Sequence, residues 1–537
     1  MSEDIFKYWS FTSPPRDVQD MAFNWIEDQL NENKDKNYFF IEASVGSGKA
    51  NMAITIGQYM NKIFKGNSCI LTPQKILQKQ YESIGTQDRI NMVSFYGRKN
   101  YVCKNKGTDC DIGASFGKKC PDCPYDRARE RAIASPLSVM NYDLFLSLKE
   151  YSEPFADVRY SSIICDEAHR LEAFLTEFNN LEWTKDKCYY YEVDYNPIKT
   201  KEQLVQYLKR EAVPLLGEYL EFMENEYPFI MSEGGELDSS DSKTKEKYLM
   251  GVEDLIRMKR ILGCSSDDFD FNYCIVTTEN GWKVKHLFGA TNFIKYIQPY
   301  HKKMVFLSGT FPDVQSTAIE MGLPLEECAF LALPTTFHKD IRPFVYMPVG
   351  KMNNSWSTNE VLKTNMVNNI KAILNEHSGD NGIIHTSSFA IAKWLIESLG
   401  DNNTHTIYNH NDGNRDRVIQ EFTMNSHETK LLISPSITEG LDLKYDLGRF
   451  AIFVKIPFPY LGDEWVQKRT EISSEWYQKQ AVISIVQGSG RVVRDKKDFG
   501  MTYMLDESYT LLQRNAGWMF PRYWNEAVMT IPPFVKK

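Results

Sequence analysis

Two separate stretches of the chain alternate short apolar runs with amphipathic segments. The first holds YFFIEA (38–43), SCILTP (68–73), SSIICDE (161–167) and MVFLSGT (304–310). The second holds GIIHTSS (382–388), KLLISPS (430–436), FAIFVKIPF (450–458) and GMTYMLD (500–506). Unbroken apolar runs of this kind suit strands buried on both faces. With helices between them they predict an α/β chain built on two doubly wound parallel sheets. After the first run Met52, Ile56, Met60 and Phe64 recur every four residues, which predicts a helix starting near Lys49.

Two insertions interrupt the first set of runs. One is a compact group of cysteines. The other runs from about Leu171 to His286 and reads as mostly helical, with WTKDKCYYYEV and LVQYLKREAVPLLGEYLEFMENEY. Inside it, SEGGELDSSDSKTKEKY is polar and rich in Gly and Ser, and is expected to be a mobile loop. VGKMNNSWSTNE (349–360) reads as the linker into the second sheet. No internal repeat is visible.

Composition narrows the class. A length of 537 residues accommodates three or four domains, and 42% hydrophobic content supports ordinary cores. No apolar run is long enough to span a bilayer, and MSEDIFKYWSF places acids before its short apolar patch, unlike a signal peptide. A cytoplasmic protein with no membrane partner is expected. Four of the ten cysteines are grouped and others sit in apolar contexts such as SCILT, which fits a reducing compartment. The net charge of −9 argues against coating nucleic acid by bulk electrostatics and leaves room for a local channel. One segment, Arg98 to Arg131, holds nine Lys/Arg against five Asp/Glu with Tyr101, Phe116 and Tyr125 interleaved. Cations beside rings suit a single nucleic-acid strand; a solvated basic surface is the alternative.

Cys103, Cys110, Cys120 and Cys123 form a Cys-x6-Cys-x9-Cys-x2-Cys run, too compact for scattered core cysteines. Thiolates grouped in this way point to a metal, either iron–sulfur or zinc. Closed zinc sites usually carry two tight Cys pairs and only one is present, so the spacing favours a cluster.

Ala43, Ser44, Val45, Gly46, Ser47, Gly48, Lys49 and Ala50 follow a predicted strand and open a predicted helix. That context is what a phosphate loop needs: backbone N–H groups cradle phosphates and Lys49 reaches the terminal ones. A plain glycine turn is the alternative. Ala50 stands where a Ser or Thr hydroxyl normally meets Mg2+, a defect in the pattern. Asp166, Glu167, Ala168 and His169 end a buried-type strand, where Asp166 can hold Mg2+ and Glu167 can take a proton from attacking water. His169 suits a coupling role, or is a surface histidine. Gln487, Gly490, Arg491 and Arg494 lie on a predicted helix, the two arginines three apart on one face, where guanidinium groups can meet a transferring phosphoryl group. A salt-bridged surface helix is the alternative.

These motifs resemble the XPD/DinG family of superfamily two DNA helicases, over nearly the whole chain. Pro15, Arg16 and Gln19 look like the family's adenine-reading segment. GRKNYVC (97–103) and CPYDRAR (123–129) resemble the borders of its iron–sulfur domain, and Ser308, Gly309 and Thr310 its SAT-type motif. Thr438, Glu439, Gly440 and Asp442, with IPFPY (456–460), resemble its fifth motif. The resemblance implies two tandem RecA-like motor domains: the first is expected in parts at 1–97, 127–172 and 287–348, the second at 349–537. An iron–sulfur domain is expected at 98–126 and a helical arch at 173–286.

It further implies an ATP-dependent DNA helicase moving 5′-to-3′ on single-stranded DNA, acting on forked DNA as a monomeric motor. ATP, Mg2+ and a [4Fe–4S] cluster are the expected cofactors, the cluster having a structural role. Because Ala50 removes a metal ligand, a nucleotide-gated single-stranded DNA-binding protein with disabled turnover remains the other reading.

Overall fold

The computed structural model describes residues 3–104, 110, 122–227, 239–400, 404–411, 413–424, 428–435, 443, 445–493 and 497–534. Seven parallel strands form the first sheet, in the order Cys328–Ala332, Tyr38–Glu42, His301–Ser308, Tyr160–Asp166, Ser68–Thr72, Leu137–Asn141, Val93–Ser94. Tyr38–Glu42, Ser68–Thr72 and Tyr160–Asp166 are buried at every position, which explains their unbroken apolar character. Helix Lys49–Phe64 starts where the periodicity predicts and packs Met52, Ile56 and Met60 into the core.

Register decides what the sheet offers at its carboxyl edge. Glu42 pairs with Ser308, and Asp166 pairs with Leu307. The loops after these three strands therefore emerge side by side, at the crevice where doubly wound sheets bind ligands.

The second sheet is also seven parallel strands, in the order Thr406–Asn409, Lys430–Ser434, Gly382–His385, Phe450–Phe453, Met501–Asp506, Phe344–Gly350, Val528–Thr530. Its strand Phe344–Gly350 precedes most of the 349–360 segment that reads as a linker. Together the two sheets with their flanking helices are tandem RecA-like units.

The second insertion departs from the mostly helical expectation. Leu181–Thr184, Gly281–His286 and Tyr273–Thr278 form an antiparallel three-stranded sheet. These strands are short, and the partner of Leu181–Thr184 lies about a hundred residues on, so local periodicity missed them. Trp183 and Trp282 fill the core beneath them, Trp183 Nε1 donating to Tyr207 Oη at 3.0 Å. The segment expected as a mobile loop is overturned in its second half, where helix Ser239–Leu262 packs on Val213–Glu226. Polar, Lys-rich sequence hid a helix whose Tyr248 and Met258 are buried against that neighbour.

Candidate nucleotide site between the two sheets

Strand Tyr38–Glu42 runs into a loop in which Gly46 and Gly48 take positive φ of 79° and 85°. A Cβ at Gly48 would sit 2.4 Å from Gln19 Nε2, so that position requires glycine twice over. Gln19 Nε2 donates to the Gly48 carbonyl at 3.2 Å and Gln19 Oε1 accepts from the Arg16 amide at 2.9 Å. The Arg16 guanidinium donates to the Gly46 carbonyl. Arg16 and Gln19, expected on a base, thus also brace the loop.

Helix Lys49–Phe64 begins with Gly48 as its cap and no side chain bonded to its first amides. Such a terminus is a ready anion site. Ser44 and Ser47 beside it carry buried hydroxyls with no hydrogen-bond partner. Ala50 instead turns its methyl to the apolar layer under the helix. Lys49 Nζ lies 3.4 Å from Glu167 Oε1 and 3.4 Å from the Ala43 carbonyl.

Asp166 closes strand Tyr160–Asp166, two places across the sheet from Tyr38–Glu42. Its carboxylate accepts from Tyr81 Oη at 2.9 Å and from the Glu167 amide at 3.0 Å. Burial pushes its pKa up to about 6, and the Glu167 charge adds to the rise. A buried carboxylate beside a second one is a setting that a divalent cation would relieve. Glu167 adopts φ 48°, a left-handed conformation that strains a side-chain-bearing residue. Its carboxylate lies 3.5 Å from His169 Nδ1. His169 Nδ1 also meets Ser308 Oγ at 2.8 Å, and burial lowers its pKa to about 4, so it stays neutral. The DEAH turn is thereby tied to the Ser308–Thr310 loop.

From the second sheet, helix Ser474–Ser489 delivers Gln487, whose Nε2 donates to Thr310 Oγ1 at 3.4 Å. A Cβ on Gly309 would lie 3.6 Å from Gln487 Nε2 and 3.8 Å from Lys49 Nζ, which places both groups at one loop. Arg491 acts on the same place: its positive charge helps to lower the pKa of both His169 and His385. Arg491 does not lie on helix Ser474–Ser489, where the sequence expects it to share a face with Arg494. The helix stops at Ser489 with Gly490 as cap, because glycines at 488 and 490 are poor helix formers, and Arg491 lies beyond it. Arg494, Glu439, Gly440 and Asp442 lie outside the described residues.

Three contributors escape sequence reasoning. Tyr81 binds Asp166 from a helix; Glu42 accepts the Phe311 amide at 2.7 Å, with burial raising its pKa to about 7; Tyr523 donates to the Gly309 carbonyl at 3.0 Å. None carries a local motif, since each partner is distant along the chain.

At the first insertion, Cys103, Cys110 and Cys123 are buried, and Cys110 Sγ lies 3.8 Å from Cys123 Sγ. Burial and the two neighbouring thiols raise the Cys110 pKa to about 12. Cys120 lies outside the described residues, and among those described no three metal-binding side chains converge on one point. The pair fits two ligands of a thiolate centre; the described residues do not complete one. Beside it, the Tyr125 ring lies 4.6 Å from the Arg98 guanidinium carbon and 5.7 Å from that of Arg129.

The fold and site define a tandem RecA-like nucleotide-dependent motor. A family model described as "Helicase C-terminal domain" matches residues 370–527, and one described as "Type III restriction enzyme, res subunit" matches 12–194. The ATP-dependent DNA helicase YoaA of Haemophilus influenzae is 23% identical over 467 residues, 75% of this chain and 69% of its own length. A Methanocaldococcus jannaschii chain described as a probable ATP-dependent helicase is 20% identical over 94% of this chain and 95% of its own. A solved XPD helicase superimposes with TM-score 0.65 at 13% identity, covering 97% of this chain and all of that one (100%). In sequence and in fold the chain is similar to the XPD/DinG-like superfamily two helicases.

Proposed function

We propose that the protein is an ATP-dependent DNA helicase that moves 5′-to-3′ along single-stranded DNA and opens forked DNA. The observation that carries the reading is the meeting of Lys49, Glu167 and Gln487 at the Gly309–Thr310 loop, from two separate sheets, with the Arg491 charge acting on the same pocket. Lys49 and the first amides of its helix hold the phosphates. Asp166 holds Mg2+, and Glu167 takes the proton of the attacking water. Gln487, Arg491 and Arg494 close the pocket from the second unit and meet the charge that develops on the phosphoryl group. Bound Mg2+ supplies the remaining charge neutralisation. By the family resemblance Glu439, Gly440 and Asp442 are assigned to nucleotide binding, and Arg16 and Gln19, which brace the loop, to reading the base.

DNA as the partner is supported by the YoaA relative's name, and exposed Arg98, held over the buried Tyr125 ring, offers a cation to a phosphate. The direction of travel and the forked substrate rest on the family resemblance. The domain limits given above, with the boundary between the two units moved ahead of strand Phe344–Gly350, a monomeric motor and an intracellular location complete the reading. Among the described residues no helix is long and apolar enough to cross a membrane. Cys103, Cys110, Cys120 and Cys123 are assigned to a [4Fe–4S] cluster with a structural role.

The test is ATP hydrolysis with and without single-stranded DNA, and strand displacement on duplexes with either a 5′ or a 3′ tail. Stimulated hydrolysis and displacement from the 5′ tail alone are expected; displacement from the 3′ tail alone overturns the polarity. Anaerobically purified protein should contain iron and sulfide, and stoichiometric zinc without iron would remove the cluster. A second reading is favoured by Ala50: a nucleotide-gated single-stranded DNA-binding protein with little turnover. It predicts nucleotide-dependent DNA affinity without DNA-stimulated hydrolysis.

A further inference from the structure

A second contact joins the two RecA-like units, and it is made of buried charges. Arg469, 1% exposed on helix Glu464–Ile472, donates to Glu172 Oε1 at 2.9 Å and to the Leu287 carbonyl. Its other guanidinium nitrogen lies 3.6 Å from Glu320 Oε2. Lys479, buried on helix Ser474–Ser489, lies 2.7 Å from the same Glu320 oxygen and 3.2 Å from Ser316 Oγ. The Arg469 guanidinium also sits 4.7 Å from the Phe288 ring and 4.8 Å from the Trp476 ring. Two cations from the second unit thus neutralise two anions from the first, out of water.

Their places along the chain give the cluster its meaning. Glu172 lies on helix Leu171–Glu177, three residues past His169. Glu320 ends helix Val314–Glu320, which follows the Ser308–Thr310 loop. Lys479 sits on the same rigid helix as Gln487, about 12 Å before it at 1.5 Å per residue. Each of the three nucleotide-facing motifs is therefore attached through a short element to this one cluster.

The contacts at the nucleotide end are of a different kind. Gln487 to Thr310 is a single bond of 3.4 Å and Tyr523 to Gly309 a single bond of 3.0 Å, both between neutral groups, so breaking them strands no charge. Separating the charges around Arg469 would instead strand ions in a desolvated pocket, which is far more costly. We infer that Arg469, Glu172, Glu320 and Lys479 form the pivot about which the nucleotide cleft opens and closes. The nucleotide-end bonds break on opening while the pivot stays joined and converts nucleotide binding into rotation of helix Ser474–Ser489. These are positioning residues, since none reaches the phosphate pocket. The inference rests on the ATP-driven reading above.

The test uses the full chain, with two dyes on non-cysteine labelling sites, one in each unit, and ADP with beryllium fluoride as the probe. The variant Glu320→Gln with Lys479→Met removes one anion and one cation together and leaves no lone buried charge. It should bind the probe like the parent, show a clearly smaller nucleotide-induced change in energy transfer, and lose about tenfold of DNA-stimulated over basal hydrolysis, in the range of known coupling effects. Arg469→Lys keeps the charge and loses the forked contact, and should show the same defects more mildly, which guards against a misfolded double variant. Parent-like closure and stimulation in either folded variant overturns the pivot. A parent chain that binds no nucleotide refutes the ATP-driven reading instead, so the two failures are distinct.

Discussion

Each RecA-like unit has a buried parallel strand that feeds a helix, yet the two helix starts are built for opposite purposes. In the first unit, Tyr38–Glu42 leads through a six-residue loop (43–48) to Lys49–Phe64, whose cap is Gly48 with no side chain on the first amides. In the second, Gly382–His385 leads through only three residues (386–388) to Phe389–Leu399. There Ser388 caps the helix by accepting from the Ile391 amide at 3.2 Å. One terminus keeps its donors for a ligand, and the other satisfies itself. The same fold thus leaves one helix start open and caps the other with a side chain, and the difference rests on a handful of loop residues.

The largest effect should come from removing the Arg491 charge. Arg491→Ala is expected to lower DNA-stimulated turnover about a thousandfold while nucleotide affinity changes little, as for a cation acting chiefly on transition-state charge. Steady-state hydrolysis alongside a fluorescent-nucleotide titration checks it, and parent-like turnover would leave the second unit with no chemical part. Next comes the open helix start. Gly48→Ala forces a left-handed alanine and a clash with Gln19, so nucleotide affinity should fall at least about 100-fold, roughly 3 kcal/mol. Retained affinity in the same titration would show that the open helix start does not hold the phosphates.

A gain is expected at Ala50. Ala50→Ser restores a hydroxyl on the first helical turn and should raise DNA-stimulated hydrolysis about tenfold, equivalent to about 1.4 kcal/mol of barrier, with a lower Mg2+ requirement. Equal rates across a Mg2+ titration would mean another group has taken that ligand's place. The smallest effect belongs to the second unit's helix start. Ser388→Ala should cost about 1 kcal/mol of stability in urea unfolding and leave nucleotide affinity untouched. A loss of affinity there would blur the contrast between the two units.

The reading of the cleft from sequence worked where chemistry is local. The glycines at 46 and 48, Lys49 and the Asp166–Glu167 pair are recognisable because a tight turn, a helix start and a strand end demand particular residues within a few positions. The same approach misplaced Arg491 on the helix, since helix period alone does not reveal that Gly490 ends it one residue earlier. It failed again at 239–248, where burial against a distant helix outweighed polar composition.

Sequence by itself determined the α/β class, eight of the fourteen strands of the two parallel sheets and the glycine turn that opens helix Lys49–Phe64, since each follows from short-range periodicity and turn chemistry. Tertiary structure alone decided which loops share an edge, through the register that sets Glu42 beside Ser308. It also decided that Tyr81 supports Asp166, that Tyr523 reaches Gly309, and that Arg469 and Lys479 find Glu172 and Glu320. Those contacts join residues tens to hundreds of positions apart, and packing brings them within hydrogen-bonding distance, inside the first unit for Tyr81 and between the two units for the others.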